Sequence, residues 1–252
     1  MTDWVEVVAA LAAPRLIALD VDGTLAPIVD DPGAARVPEA TMALLRRLDA
    51  KPGVRVALIT GRDASSLSEV APLSGVWRAV EHGAVVMAPH APEPDLQLAP
   101  ERRDALEEFA DQAREQWVDT DVALEEKATS YAVHVRRLDD EDRAEAILDE
   151  AEQAADELGL HARRGRAVLE AEARKGDKAS ALRRLIEHTG AASVLYAGDD
   201  LTDVPAIALA AARGVGLFVT SPERPDLPDG ASGALEGTDA VLALLSALAD
   251  RL

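Results

Sequence analysis

Short apolar runs alternate with amphipathic stretches along most of this 252-residue chain. The apolar runs have the length of single strands, and the amphipathic stretches have the length of short helices. Strands that alternate with helices in this way form a parallel sheet with helices on both of its faces. The pattern therefore predicts an α/β protein built on a parallel sheet.

The predicted elements fall into two blocks. The first block contains strands at 16–20, 54–59, 77–80 and 84–87, and helices at 38–50 and 63–70. The second contains helices at 178–188, 203–212 and 239–252, and strands at 193–197 and 214–219. Asp177 is the predicted N-cap of the helix at 178–188. Because both blocks keep the same rhythm, we expect residues 1–90 and 172–252 to form one core domain.

The segment between the blocks has a different character. A proline-rich stretch leads into an acidic helix at 101–117, followed by strands at 121–125 and 130–137, a helix at 141–158 and a strand at 167–171. Two helices and about three strands make a small α+β unit. We expect residues 91–171 to form a separate domain that is inserted into the core.

Charge and composition exclude several classes of function. The formal net charge is −20, whereas nucleic-acid-binding proteins are usually basic. The chain has no cysteine, so a metal would bind through oxygen or imidazole ligands. It has no apolar run of membrane-spanning length, and its first residues lack the basic start of a signal peptide. We expect a cytoplasmic monomer without nucleic-acid or membrane partners.

Polar residues that follow the predicted strands are the candidate site residues, because ligands of parallel α/β sheets bind beyond the carboxyl ends of the strands. The sequence Asp20-Val21-Asp22-Gly23-Thr24 follows the first strand. Two carboxylates this close repel each other unless a cation or a proton lies between them. Mg²⁺ prefers such oxygen ligands, and Gly23 allows a sharp turn of the backbone.

Three further positions carry polar residues of a suitable kind. Thr60, Gly61 and Arg62 follow the second strand and offer a hydroxyl and N–H groups to a phosphate. Lys178 begins a predicted helix and would supply a cation. The stretch Gly198-Asp199-Asp200-Leu201-Thr202-Asp203 follows a later strand and adds the acids of a second half of a metal site.

The order of these four motifs resembles that of the haloacid dehalogenase-like (HAD) phosphatase superfamily. The resemblance implies a Rossmann-like core, and the place of the insertion is similar to that of the superfamily's larger, C2-type cap domain. The segment Glu125-Glu126-Lys127, followed by His134-Val135-Arg136, is similar to the E-x-K…H-x-R pattern of trehalose-6-phosphate phosphatases. Val168-Leu169-Glu170 also looks like that family.

The chain departs from this family at two places. Glu172-Ala173 occupy the position of the family's Arg-Pro, and Lys178 is followed by alanine instead of glycine. Lys175-Gly176 is a competing match for the third motif, but its spacing from Glu170 is wrong, which favours Lys178. These departures lie by the last predicted strand of the inserted domain and leave the exact sugar open.

The resemblance implies a reaction in two steps. Asp20 attacks phosphorus and forms an aspartyl-phosphate, while Asp22 protonates the leaving sugar oxygen and later activates the water that cleaves the intermediate. Mg²⁺ is the implied cofactor, and its implied ligands are Asp20, Asp199 and the backbone carbonyl of Asp22. Asp200 and Asp203 would hold these ligands in place, and Asp203 could instead contact a metal-bound water.

The resemblance also implies how the substrate is held. Thr60, Arg62 and the N–H groups around Gly23 and Gly61 would bind the phosphoryl oxygens, and Lys178 would neutralise charge between them and Asp20. The implied substrate is trehalose 6-phosphate, whose sugar hydroxyls would contact cap side chains. These side chains are Glu125, Lys127, His134, Arg136 and Glu170.

Other interpretations of the same residues stay open. The polar cap residues could instead form ordinary cross-strand ion pairs, and His82, at another strand end, is interpreted as structural. A related cap-bearing phosphatase could act on sucrose phosphate, a mannosyl-glycerate phosphate or a pseudodisaccharide phosphate. A catalytically silent sugar-phosphate-binding protein is the alternative from a different class of function.

Overall fold

The structure, a computed structural model, describes residues 2–29, 32–92, 98–117, 121–127, 129–174 and 176–252. The chain divides into two compact units, one formed by Met1–Pro94 with Gly176–Leu252 and the other by Asp95–Lys175. The expected domain boundaries, after residues 90 and 171, each lie four residues before the ends of these segments at 94 and 175. Among the described residues, no helix combines the length and the apolar character that a membrane crossing requires.

The elements are numbered here in chain order. The first unit begins with α1 (Trp4–Ala9), β1 (Arg15–Leu19), α2 (Glu39–Asp49), β2 (Val54–Ile59), α3 (Ala64–Val70), β3 (Trp77–Val80) and β4 (Val85–Met87). The second unit contains α4 (Pro100–Gln116), β5 (Ala123–Glu126), β6 (Ser130–His134), α5 (Glu141–Glu157), β7 (His161–Gly165) and β8 (Val168–Glu172). The first unit resumes with α6 (Lys178–Thr189), β9 (Ser193–Gly198), α7 (Val204–Ala211), β10 (Gly214–Thr220), β11 (Gly233–Glu236) and α8 (Gly237–Arg251).

A seven-stranded sheet in the order β11-β10-β9-β1-β2-β3-β4 forms the centre of the first unit. Neighbouring strands are parallel except for β3 and β4, which are antiparallel. Leu19, the last residue of β1, is in register with Leu58 of β2 and Ala197 of β9. The carboxyl ends of these three strands therefore lie side by side, and the predicted parallel α/β fold is confirmed.

Helices cover both faces of this sheet. On one face, α6 and α7 pack on alternate residues of the central strands, including Leu16, Ile59 and Tyr196. On the other face, α2 and α8 contact each other and also β2 and β10. Because both faces are covered, every residue of β9 is buried, which explains why the central strands are continuous apolar runs.

The second unit is an antiparallel sheet, β5-β6-β8-β7, with α4 and α5 packed on it. Its core contains Phe109, whose ring contacts those of Trp117 and Tyr131. Tyr131 and Leu169 are among the strand residues in this core. Since side chains alternate along a strand, the neighbouring residues, including Ser130 and Glu170, lie on the opposite face of the sheet.

The sequence pattern does not predict α1, β7 and β11. The residues of β7 are mostly polar, and ion pairs connect the strand to α5. Arg164 of β7 contacts Glu145 at 2.6 Å and Asp149 at 2.5 Å, both on α5. The second unit therefore has four strands instead of about three in its described residues. β6 ends at His134 and not at residue 137, because a turn follows in which the Leu138 N–H donates to the Val135 carbonyl at 3.0 Å.

Asp177 caps the N-terminus of α6, where its side chain accepts a hydrogen bond of 2.8 Å from the Ser180 N–H. We predict that Asp177→Ala lowers the free energy of unfolding by about 1 kcal/mol, because an N–H of the first turn loses its acceptor. Asp177→Asn keeps an acceptor oxygen and is expected to cost less. The measurement is urea denaturation.

Glu187→Ala, an exposed substitution near the other end of α6, serves as the control and should change the unfolding free energy by less than ~0.5 kcal/mol. Equal losses for the Asp177→Ala and Glu187→Ala variants would contradict the capping role.

Candidate active site

The carboxyl ends of β1 and β9 bring Asp20 and Asp199 to the same edge of the sheet. Asp20 directly follows β1, and its N–H donates to the Ala197 carbonyl of β9 at 2.9 Å. Asp199 directly follows β9. One carboxylate oxygen each of Asp20, Asp199 and Asp203 lies within 4.8 Å of the others, and all three residues are buried. The strand topology thus assembles acids that are about 180 residues apart in the sequence.

Lys178 lies between two of these acids. Its Nζ donates to Oδ1 of Asp20 at 2.7 Å and to Oδ1 of Asp203 at 2.8 Å, and its side chain is only 5% exposed. Burial disfavours the charged ammonium, but the two adjacent carboxylates outweigh burial and raise the pKa of Lys178 above its usual value. The two carboxylates therefore favour the protonated form of Lys178, which contacts Asp20.

Asp203 uses both of its oxygens to organise its neighbours. Oδ1 accepts hydrogen bonds from Lys178 and from the hydroxyl of Tyr196, and Oδ2 accepts one of 3.0 Å from the Asp200 N–H. Burial, followed by the charge of Asp203, raises the pKa of Tyr196 well above its usual value, so the hydroxyl stays protonated and can donate. The sequence analysis does not single out Tyr196, because a tyrosine within an apolar strand is typical of a core position.

Asp199 differs from the other two acids, because no described residue donates a hydrogen bond to its carboxylate. Burial, followed by the charge of Asp203, raises its pKa to about 7. Its side chain lies directly against Gly23, where a Cβ would overlap the carboxylate and where φ is +76°. Glycine is thus required at this position both by the backbone conformation and by the approach of Asp199.

This cluster could hold a metal ion. Three carboxylates and one ammonium carry a net charge of −2 when all are ionised, and burial raises the pKa of Asp20 as well as that of Asp199. A divalent cation would balance that charge. The available ligand atoms are carboxylate oxygens. Oxygen ligands favour a hard cation over a softer metal that prefers thiolate ligands.

Asp22 and Arg62 form a bidentate ion pair beside the cluster. Arg62 donates from Nε to Oδ2 of Asp22 at 2.7 Å and from Nη2 to Oδ1 at 2.6 Å, and its Nη1 donates to the Ser66 hydroxyl at 2.9 Å. The structure therefore engages the Asp22 carboxylate with Arg62 and does not include it in the acidic cluster of the described residues. A pairing of these two predicted site residues with each other is not apparent from the sequence.

The loop after β2 is held by backbone hydrogen bonds. The Thr60 hydroxyl accepts a bond of 3.1 Å from the Arg62 N–H, and the Thr60 carbonyl accepts one of 2.9 Å from the His82 N–H. The ring of His82 lies against Gly61, in a position that a Cβ at Gly61 would overlap. His82 thus contacts the loop that carries Thr60, in line with its structural interpretation.

Asp200 shapes the turn between β9 and α7. Its carboxylate accepts hydrogen bonds from the Leu201 N–H at 2.7 Å and the Thr202 hydroxyl at 3.1 Å, and it forms an ion pair with Arg224. Arg224 also approaches the Asp199 carbonyl at 3.4 Å. Arg224 lies 25 residues beyond Asp199 in the turn after β10, and no pattern in the sequence connects the two.

Of the five residues of the second unit that are predicted to contact the sugar, four form two side-chain pairs. Lys127 contacts Glu170 at 2.8 Å, and the Ser130 hydroxyl donates to the same Glu170 oxygen at 2.6 Å. His134 Nε2 lies 2.9 Å from Glu125 Oε2. Arg136 is exposed in the turn after β6 and is separate from both pairs in the contacts of the described residues.

Arg163 of β7 forms an ion pair of 2.7 Å with Glu172 of β8, the residue that stands where the resemblance leads one to expect arginine. Lys175, the competing third-motif lysine, lies outside the described residues.

Residues 18–208 match the family described as trehalose-phosphatase. The chain is 33% identical over 250 residues to the trehalose-phosphate phosphatase of Mycobacterium marinum, an alignment that covers 96% of this chain and 63% of that protein. It is 29% identical over 249 residues to the trehalose-phosphate phosphatase of Mycobacterium tuberculosis, again over 96% and 63% of the two lengths. The chain thus spans less than two thirds of these curated relatives.

Solved structures share the fold. One is a trehalose-6-phosphate phosphatase related protein, with a TM-score of 0.75, 21% identity, and coverage of 93% of this chain and 97% of that chain. Another is the C-terminal domain of the C. albicans trehalose-6-phosphate phosphatase, with a TM-score of 0.68, 21% identity, and coverage of 94% and 92%.

The raised pKa of Asp199 predicts a pH-dependent stability for the metal-free protein. The folded state keeps the Asp199 proton up to about pH 7, whereas the unfolded state loses it near the ordinary aspartate pKa of 3.8. Stability should therefore fall as pH rises between these values, by about 2–4 kcal/mol in unfolding free energy. Urea denaturation in EDTA at several pH values measures this change.

Asp199→Asn removes the titrating carboxyl and should flatten this part of the pH profile. Asp226→Asn, a substitution of an exposed aspartate, should leave the profile unchanged. The same slope in the Asp199→Asn variant as in the unsubstituted protein would show that another group is responsible.

Proposed function

The chain belongs to the trehalose-phosphatase family, and on that premise we propose that it hydrolyses trehalose 6-phosphate to trehalose and phosphate. The observation that carries the proposal is the contact of 2.7 Å between the Lys178 ammonium and the Asp20 carboxylate, beside Asp199 and Asp203. Phosphoryl transfer depends mainly on positioning and on neutralised charge, and this arrangement supplies both.

Asp20 is the proposed nucleophile. One of its oxygens bonds to phosphorus as the bond from phosphorus to the sugar oxygen breaks, which gives an aspartyl-phosphate. Lys178 holds Oδ1 of Asp20 and so fixes the plane of the carboxylate, and its charge offsets that of the incoming phosphoryl group. Asp203 supports the reaction by fixing the other side of the ammonium.

Asp20, Asp199 and the backbone carbonyl of Asp22 are the proposed ligands of one Mg²⁺ ion. Oxygen-only donors and the net negative charge of the cluster support this choice over a softer metal. When bound, the ion neutralises the facing carboxylates and the phosphoryl oxygens. Asp200 supports this site by holding the turn that follows Asp199.

Asp22 is the proposed acid and base. It donates a proton to the leaving sugar oxygen and then accepts a proton from the water that cleaves the aspartyl-phosphate. The ion pair with Arg62 engages both oxygens of Asp22, so the proposal includes the release of Asp22 from Arg62 when substrate binds. The phosphoryl group is a suitable new partner for the guanidinium, because two of its oxygens can accept the same bidentate hydrogen bonds as a carboxylate.

The loop of Thr60 and Gly61, together with the N–H groups around Gly23, is the proposed cradle for the remaining phosphoryl oxygens. The backbone contacts of this loop with residues 79–82 support a preorganised cradle. Such preorganisation matters because donors that are already oriented need no rearrangement in the transition state.

The polar face of the second unit is proposed to bind the sugar. Glu125, Lys127, His134 and Glu170 supply donors and acceptors on neighbouring strands, and Arg136 would reach the sugar from the adjacent turn. A disaccharide offers many hydroxyls and no charge, so a sheet of fixed polar side chains suits it. The replacement of an expected arginine by Glu172 favours one alternative, a related phosphatase for another disaccharide phosphate.

A panel of phosphate esters tests the proposed substrate. We predict that the highest kcat/KM is found with trehalose 6-phosphate, compared with sucrose phosphate, a mannosyl-glycerate phosphate and p-nitrophenyl phosphate. Asp20→Asn should lower phosphate release by ~10³-fold or more with the fold retained, whereas Asp226→Asn should not change it.

A clear preference for another disaccharide phosphate would replace the proposed substrate but keep the proposed chemistry. Activity retained by the Asp20→Asn variant would contradict covalent catalysis. Absence of any hydrolysis by the unsubstituted protein would favour a silent sugar-phosphate-binding protein.

The role of the second unit is tested by comparing substrates with and without a sugar. We predict that Lys127→Ala lowers kcat/KM for trehalose 6-phosphate ~10-fold or more and leaves that for p-nitrophenyl phosphate nearly unchanged, because only the sugar contacts are lost. Arg103→Ala, an exposed substitution on α4, is the control and should affect neither substrate. Equal losses with both substrates would mean that Lys127 does not contact the sugar.

A further inference from the structure

Tyr196 is a buried polar residue to which the proposed reaction gives no role. It lies on β9, in register with Ala18 of β1, and is fully buried in the layer that packs on α6 and α7. Leucine or phenylalanine could fill such a layer without bringing in a hydroxyl. The hydroxyl of Tyr196 donates to Oδ1 of Asp203, at the centre of the candidate site.

The same oxygen of Asp203 also accepts a hydrogen bond from Lys178 at 2.8 Å, while Lys178 donates to Asp20 at 2.7 Å. The ammonium is therefore shared between two carboxylates at nearly equal distances. Its position depends on how strongly each carboxylate attracts it. Any donor that offsets negative charge on Asp203 shifts the ammonium toward Asp20.

We propose that Tyr196 is a positioning residue that acts through Asp203 to hold Lys178 against Asp20, an inference that rests on the phosphatase function proposed above. The Tyr196 hydroxyl offsets charge on the Asp203 oxygen that faces Lys178. Without the hydroxyl, Asp203 draws the ammonium toward itself, and the contact between Lys178 and Asp20 weakens. Tyr196 is held within β9, a strand whose residues are all buried.

Tyr196→Phe removes one oxygen atom and keeps the ring, so the apolar layer stays filled. The expected result is a kcat about 10-fold lower for both trehalose 6-phosphate and p-nitrophenyl phosphate, with KM within about twofold of the unsubstituted value. Tyr131→Phe is a matched control, because the chain contains two tyrosines and Tyr131 is buried in the second unit. It should leave kcat unchanged.

A double-mutant cycle with Lys178→Met separates positioning from a merely structural role. If Tyr196 acts through Lys178, the loss caused by Tyr196→Phe disappears once Lys178 is replaced. The proposal would be overturned if the fold-loss in kcat of the double variant equals the product of the two single fold-losses. An unchanged kcat in the Tyr196→Phe variant would also overturn it.

The four proteins of the cycle are the unsubstituted protein, the Tyr196→Phe variant, the Lys178→Met variant and the double variant. They are also compared by urea denaturation, which does not depend on catalysis. The shifts of the unfolding midpoint should be non-additive, because Tyr196 and Lys178 share the Asp203 oxygen. If the unsubstituted protein releases no phosphate from either ester, the proposed function fails. Additive shifts of the unfolding midpoint would independently overturn the link between Tyr196 and Lys178.

Discussion

The buried ion pairs of Lys178 with Asp20 and Asp203 are the interaction on which the rest of the site depends. Burying two carboxylates without a cation would cost about 3–5 kcal/mol of stability or would force a carboxylate to keep a proton. The ammonium offsets that cost for Asp20 and Asp203, whereas the Asp199 carboxylate accepts no hydrogen bond from a described residue and has a raised pKa of about 7. The same cluster of acids is the part of the site that could hold a metal ion.

This charge arrangement depends on the topology of the first unit. Asp20 and Asp199 meet because β1 and β9 are parallel neighbours, and Lys178 reaches them because α6 begins beside the carboxyl ends of those strands. Asp177 fixes the beginning of that helix, and Gly23 leaves room for Asp199. Asp177 and Gly23 thus help to set the positions of the side chains that are proposed to carry out the reaction.

Much of the fold could be predicted from the sequence, because buried parallel strands and amphipathic helices have distinct patterns. The four motifs at strand and helix ends also identify the acids and the lysine, since parallel topology brings such ends together. What could not be predicted is the choice of partners. Tyr196 has the pattern of a core residue, Arg224 is remote in the sequence, and the pairing of Asp22 with Arg62 is determined by tertiary structure. The strand β7 could not be predicted, because it lacks an apolar pattern and contacts α5 through ion pairs instead.

The most direct test of the account is a crystal structure of the protein grown with Mg²⁺ and fluoroberyllate, a mimic of the phosphoryl group on an aspartate. We expect beryllium bonded to an Asp20 oxygen, Mg²⁺ bound to both Asp20 and Asp199, and Lys178 still in contact with Asp20. A metal bound elsewhere, or fluoroberyllate absent from Asp20 while Mg²⁺ is present, would contradict the claim that these buried charges form a phosphoryl-transfer site.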